Sequence, residues 1–164
     1  LTKAENNFLN LKKEKISVEK FVYSIFESIK VLYSNKQVLL DIKFGDGVGD
    51  LFCSPGYLAI ALKNILLNAV KHSRENTEVI LNILKKGKAI VFVIKDFGEG
   101  ISKKDLPHIF QYFYREDTAR NRDSGGVGIG LSLAVAFVKM HQGNISVSSE
   151  KGKGAVFTVE IPCV

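Results

Sequence analysis

Residues 62–73 read LKNILLNAVKHS, an apolar helical stretch interrupted by Asn64, Asn68 and Lys71 at positions i, i+4 and i+7. In a helix that spacing puts all three on one narrow stripe, since residues three and four apart share a face. Asparagine is a mediocre helix former, and burying its amide without partners costs on the order of 1–3 kcal/mol. Two of them one turn apart point to a ligand or to a satisfied network. The competing reading is an ordinary solvated helix face.

Around this helix the other elements fall into place. Ser54-Pro55 marks its start, with the serine hydroxyl expected to accept a first-turn amide and the proline preset for the first helical position. Residues 79–84 and 89–94 flank the basic turn 85–88 and predict a hairpin whose second strand, apolar on both faces, is central. Upstream, the spacing of Phe21, Val22, Ile25, Phe26, Ile29 and Leu32 predicts an amphipathic helix from Val18 to near Ser34 and Asn35, and residues 38–44 a strand. A third helix is expected over 131–140, and a last pair of strands over 144–149 and 155–161. Residues 97–125 lack periodicity and predict a flexible functional lid. Leu1, Ala4, Phe8 and Leu11 repeat at helical intervals and suggest the tail of a helix that packs against something else.

Composition limits the classes open to the chain. With 164 residues, 46% of them hydrophobic, it fits one globular domain with a real core. The net charge is +6, but the lysines are dispersed in short clusters with no row of aromatics between them, which argues against nucleic-acid binding. Cys53 and Cys163 form no disulfide framework and no metal-ligand spacing. The longest apolar runs, 89–94 and 133–138, fall far short of the roughly 18 residues of a membrane span. No membrane contact is therefore expected of this stretch. Because it opens at Leu1, a longer parent chain is expected.

Two further motifs carry chemistry. Asp96 ends the central strand and opens DFGEGI, with Gly98 and Gly100 at alternate positions. A strand-end carboxylate can accept from an exocyclic amine such as that of adenine, and glycines let a flat ring approach the backbone. An ordinary turn has the same pattern. A eukaryotic-type protein kinase is excluded, since no His-Arg-Asp catalytic loop or Val-Ala-Ile-Lys strand accompanies Asp96-Phe97-Gly98. Residues 125–134, GGVGIGLSLA, place glycines before an apolar helix, where amides and a helix N-terminus can face phosphates. The run lacks the strand that precedes a Rossmann fingerprint and the lysine of a Walker loop, and a flexible hinge is the alternative.

In this order, the elements resemble the catalytic ATP-binding domain of sensor histidine kinases, within the superfamily of type II topoisomerase, heat-shock chaperone and mismatch-repair ATPases. LKNILLNAVKHS is similar to the family's N box, DFGEGI to its G1 box, IFQYFYR at 109–115 to its F box and GGVGIGLSLA to its G2 box, while 143–162 resemble the closing strands. The resemblance implies an α+β, two-layer fold of the Bergerat type: a mixed, mostly antiparallel sheet covered on one face by about three helices, with a long ATP lid.

The resemblance also implies roles. Asn68 would coordinate Mg²⁺ on the ATP phosphates, with Asn64 assisting through water or metal, and Lys71 would contact phosphate. Asp96 would accept from the adenine amine, while Gly98, Gly100 and Ile101 shape the nucleotide wall. Gly126, Val127, Gly128, Ile129, Gly130 and Leu131 would close over the phosphates. Phe110, Phe113 and Tyr114 would seat the lid through packing, Arg115 would touch the γ-phosphate, and Thr158 would reach adenine through water.

Two positions depart from the family. His72 stands where tyrosine or phenylalanine is common, so a nucleotide contact and a satisfied surface histidine are both open; Ser54 replaces an aspartate at the helix start and should cap equally well.

The hydrolytic relatives carry a glutamate where this chain has Asn64, and an amide cannot deprotonate water. Slow hydrolysis and γ-phosphoryl transfer to an outside nucleophile follow. In the resembling kinases that nucleophile is a histidine on a separate dimerisation domain, and a response-regulator aspartate receives the group next. His72, His108 and His141 lack a phosphoacceptor's following residues. Residues 1–15 are thus expected to be the tail of the dimerisation helix with its linker, and 16–164 the catalytic domain. The expected partners are the parent protein's own dimerisation domain, in a homodimer, and a response regulator. The expected location is cytoplasmic, with the parent anchored in the inner membrane. A serine kinase of the same superfamily, or a nucleotide-dependent binding module without transfer, are the alternatives.

Overall fold

The computed structural model describes residues 11–115 and 128–163. Strand β1 (Glu14–Ser17) leads into α1 (Val18–Asn35), β2 (Leu39–Phe44), β3 (Asp50–Cys53), α2 (Pro55–His72), β4 (Glu78–Lys86) and β5 (Ala89–Asp96). A 3-10 turn (Leu106–His108), α3 (Gly130–Met140), β6 (Asn144–Ser149) and β7 (Ala155–Pro162) complete the order. Five strands form one sheet in the order β2-β4-β5-β7-β6, with β2 and β4 parallel and the other neighbours antiparallel. The parallel pair is joined through α2, the long crossover that parallel neighbours require.

Alternation along the strands sets the two layers. Register puts Ile90, Phe92, Ile94 and Asp96 of β5 on the same face as Ile161, Val159, Phe157 and Ala155 of β7 and as Val79, Leu81 and Ile83 of β4. The helices cover this face: α1 lies against β2, α2 against β5, and α3 against β6 and β7. Phe92 and Phe157 are fully buried between the layers. The expected α+β architecture, with β5 central, is therefore present.

Helix α1 forms where expected, with one shift in its buried stripe. Phe21, Val22, Ile25, Ile29 and Tyr33 face the core, while Leu32 is 51% exposed. Tyr33 replaces it because its ring continues the i, i+4 series and its hydroxyl donates to the Leu66 carbonyl at 2.7 Å. Ser17 caps this helix by accepting from the Lys20 amide at 3.4 Å.

Four expectations need correction. The end of the stretch expected to be helix tail and linker carries the start of β1, which pairs antiparallel with the unanticipated β3 in a second, two-stranded sheet. Glu14 pairs with Cys53 and Lys15 with Phe52, so the boundary expected between residues 15 and 16 falls inside a strand of the domain. Ser54 sits at the α2 N-cap, but its hydroxyl makes no capping bond. Its backbone N–H instead donates to Nε2 of the buried His141 at 3.0 Å, while His141 Nδ1–H donates to the Phe137 carbonyl at 2.7 Å. Finally, residues 97–115 are not structureless: Ile101 and Ile109 are buried, and the Phe110 ring meets Phe157 edge-on at 6.2 Å. Residues 116–125 of the expected lid, together with Gly126 and Val127, and residues 1–10 of the expected N-terminal helix lie outside the described residues.

Candidate nucleotide site

Three motifs that are far apart in sequence converge on α2. At its middle, Asn64 abuts the start of α3: a Cβ built on Gly130 would lie 3.3 Å from Asn64 Oδ1. At its C-terminal end, a Cβ on Gly98 would lie 2.1 Å from the His72 carbonyl oxygen, so only glycine lets the Asp96 turn approach the helix this closely. The stripe of amides, the acidic turn and the glycine-led helix thus border one region.

The α2 stripe is half-buried at Asn64 and Asn68, while Lys71 is exposed. Asn64 Nδ2 is buried with no hydrogen-bond partner. An orphaned amide donor costs about 1–3 kcal/mol. The helix tolerates it because Leu58, Leu62, Ile65, Leu66 and Val70 are buried on its other side, at roughly 1.5–3 kcal/mol each. A second set of donors lies beside it. Helix α3 begins at Gly130 behind Ile129, with no side-chain cap on its first turn, so its leading amides await acceptors. Together the orphan and the uncapped helix end suit an anion such as phosphate.

Asp96 is 3% exposed, and Oδ1 accepts the Gly98 N–H at 2.9 Å. Burial pushes its carboxyl above the usual carboxylate range; bonds from the Gly98 and Ala155 amides and the charge of His72 pull the other way. Tyr33, buried and near Asp96, has its hydroxyl pushed well above the usual phenol range, by burial first and then by that carboxylate. Gly100 adopts φ +71°, and a Cβ there would lie 2.1 Å from the Glu150 carbonyl oxygen. These glycines are thus dictated by backbone packing against α2 and the β6–β7 hairpin, a reason the sequence did not reveal. Ile101 donates its N–H to Ser149 Oγ at 2.8 Å, which secures the far end of the turn.

His72 is a paired residue: its Nδ1 lies 2.9 Å from Glu99 Oε1. The hydrogen bond from His72, with Lys151 and Lys36 nearby, holds the Glu99 carboxyl below its usual range against its partial burial. Glu99 was missed in the sequence, although an acidic residue between two glycines of a binding turn is a usable signal.

The residues flanking 116–127 are tied together. Phe113 donates its N–H to the Gly128 carbonyl at 2.9 Å, with φ of +62° and +76° at the two residues. Tyr114 packs on His108 with ring centroids 5.3 Å apart and donates to Asp105. Phe110 and Tyr114 are thus held by ring contacts to Phe157 and His108. Phe113 is 70% exposed, so its link to the Gly128 side is made by the backbone, not by packing of its ring. Arg115 is half-buried at the edge of the described segment, and Ile129 and Leu131 are half-buried around the α3 start.

Thr158 stands apart from the rest. It pairs with Val93 and Ser146, while Asp96 pairs with Ala155, so strand alternation turns Thr158 to the face away from Asp96 and the helices. Ala155, not Thr158, is the β7 residue beside the acidic turn. Among the described residues no cluster of three or more His, Cys, Asp or Glu could hold a metal, and no helix is long and apolar enough to cross a membrane.

Comparison with known proteins gives a consistent picture. The chain is similar to the circadian input-output histidine kinase CikA of Synechococcus elongatus, 36% identical over 77% of this chain and 17% of that protein. A sensor-like histidine kinase of Mycolicibacterium smegmatis is 33% identical over 90% of this chain and 38% of its own length. The chain thus spans well under half the length of these curated relatives. The nucleotide-free catalytic domain of histidine kinase ThkA superposes with a TM-score of 0.81 at 16% identity, covering 93% of this chain and 96% of that one. Full-length ShkA, solved in complex with AMPPNP, superposes with a TM-score of 0.82 at 24% identity, over 93% of this chain and 31% of that one. At these identities the two structures establish the fold. The family described as histidine kinase-, DNA gyrase B- and HSP90-like ATPase matches residues 54–164, more than half the chain, and the chain belongs to that family.

Proposed function

We propose that the domain binds Mg-ATP between α2, the Asp96 turn and the start of α3, and donates the γ-phosphoryl group to a histidine on a separate dimerisation domain of a sensor histidine kinase. A response-regulator aspartate then receives the group. The observation that carries the reading is the orphaned Asn64 Nδ2 beside the uncapped α3 N-terminus. Both are donors seeking acceptors, and phosphate oxygens supply them.

Each motif takes one part of the nucleotide. Asp96 accepts the adenine amine through the oxygen not used by Gly98. Asn64, Gly128 and Gly130 face the phosphates, with Lys71 and Arg115 as cationic partners. The amide oxygen of Asn68 fits Mg²⁺, which takes few protein ligands beside phosphate and water. When bound, the ion supplies neutralisation of charge on the phosphates.

Transfer needs no base from this chain, because an imidazole nitrogen attacks with its own lone pair while the bond to the β-phosphate oxygen breaks. Hydrolysis does need one, and Asn64 cannot serve. The names of the relatives favour the histidine kinase over a serine kinase.

Incubating the chain with γ-labelled Mg-ATP tests this reading. The chain should bind nucleotide yet gain no stable label, and should pass label to a cognate dimerisation domain added in trans. Stable labelling of His72, His108 or His141 would overturn it.

A further inference from the structure

The loop that bears Asp96 is held from two sides. On the hairpin side, Gly152 donates its N–H to the Glu99 carbonyl at 2.6 Å, and Ile101 donates to Ser149 Oγ, which itself donates to the Gly154 carbonyl at 2.6 Å. On the α2 side the turn meets a single residue twice: the His72 carbonyl against Gly98, and the His72 imidazole against the Glu99 carboxylate at 2.9 Å. The side chains of this pair are 27% and 50% exposed. A pair so exposed contributes only about 0–1 kcal/mol to folding. Its effect is on where the turn sits, not on whether the domain folds.

The turn's position matters because Asp96 and the asparagine stripe lie on different elements. Asp96 ends a strand, whereas Asn64 and Asn68 ride on α2. Moving the turn along the helix end by a fraction of an ångström changes the distance between an adenine acceptor and the phosphate donors. The Glu99 side chain reaches back over that junction to the last residue of α2. Lys36 donates to the neighbouring Lys71 carbonyl, and Lys36 and Lys151 add positive charge around Glu99.

We infer that His72 and Glu99 form a positioning pair that fixes the Asp96 turn against α2 and so sets selectivity for a purine bearing an exocyclic amine. This rests on the nucleotide-site reading above. Neither residue is a catalytic residue; both act through Asp96.

The test uses the whole 164-residue chain and measures, by competition, the affinities for Mg-ATP and for the magnesium complex of purine riboside triphosphate, which lacks only the amine. Wild type is compared with His72→Ala, Glu99→Ala, the double variant and Glu99→Gln. Each single alanine should weaken ATP about threefold to tenfold, while the amine-free analogue changes by less than about twofold. The double variant should be no weaker than either single one, since one pair is lost in all three. Glu99→Gln, which keeps an acceptor for Nδ1–H, should recover most of the loss. Equal losses for both nucleotides, multiplied effects in the double variant, or unchanged ATP affinity would overturn the inference. Failure of the wild-type chain to bind Mg-ATP is a different result, and would remove the nucleotide site itself.

Discussion

The backbone N–H of Ser54 donates to Nε2 of His141 at 3.0 Å, tying the first turn of α2 to the end of α3 across 87 residues of sequence. Both helices border the proposed nucleotide site, so this bond sets their relative height there. Replacing His141 by leucine keeps apolar volume but strands a buried N–H. The loss should be about 1–3 kcal/mol in urea unfolding. An unchanged midpoint would show that water or a shifted backbone replaces the bond.

Two glycines should respond in opposite directions to alanine. At Gly98 the new Cβ would press on the His72 carbonyl at 2.1 Å, a backbone atom that cannot swing away. Gly98→Ala should cost several kcal/mol, roughly 3 or more, or prevent folding. At Gly56, in the first turn of α2, nothing lies within 4 Å. Gly56→Ala should stabilise by about 0.4–1 kcal/mol. Thermal melts of the two variants against wild type check the pair of signs.

Asp96 carries a cost of burial that the proposed adenine contact accounts for. Its folded-state carboxyl titrates above the unfolded value because of burial. The stability it contributes is therefore present below the unfolded carboxylate range, near pH 3.9, and is lost as pH rises through the raised folded value. Once that carboxyl ionises, the chain holds a buried charge. Asp96→Asn keeps an oxygen for the Gly98 N–H and removes that charge, so it should raise the melting temperature at pH 7–8 while weakening Mg-ATP binding. The gain should shrink as pH falls. A lower melting temperature at pH 8 would contradict this account of the shift.

Cys53 is fully buried, and burial, with Glu14 adding to it, pushes its thiol up to about 11. Cys163 is half-buried at the end of β7. At pH 8, iodoacetamide followed by peptide mass mapping should find Cys163 labelled and Cys53 protected until urea unfolds the chain. Equal labelling of the two in the folded protein would show that the β1–β3 sheet opens. The neutral Cys53 thiol contributes stability below the free-thiol range, about 8.5, which is lost as pH rises through about 11.

Much of this was legible in the sequence because long periodic elements announce themselves. The 3.6-residue spacing in α1 and α2 and the doubly apolar β5 gave their type and near-correct limits. The four-residue strands β1 and β3 did not, since Leu51 and Cys53 are only two alternating buried positions and half of β1 is charged. Residues carried by motif spacing, such as Asn64 and Asp96, could be proposed from the sequence, and the fold brings their elements together. Thr158 was misplaced because its face depends on strand register, which one residue of shift reverses. Glu99 could have been flagged by its place between two glycines, but its pairing with His72 and the Ser54–His141 bond could not be read, because they join elements through tertiary geometry alone.

Calorimetric titration of Mg-ATP into the chain and into its Asn68→Ala variant tests the central claim most directly. The wild-type chain should bind, and the variant should lose about tenfold or more in affinity, the size of one lost charged-ligand contact. Equal affinity of the two would contradict the placement of Mg-ATP on the α2 stripe.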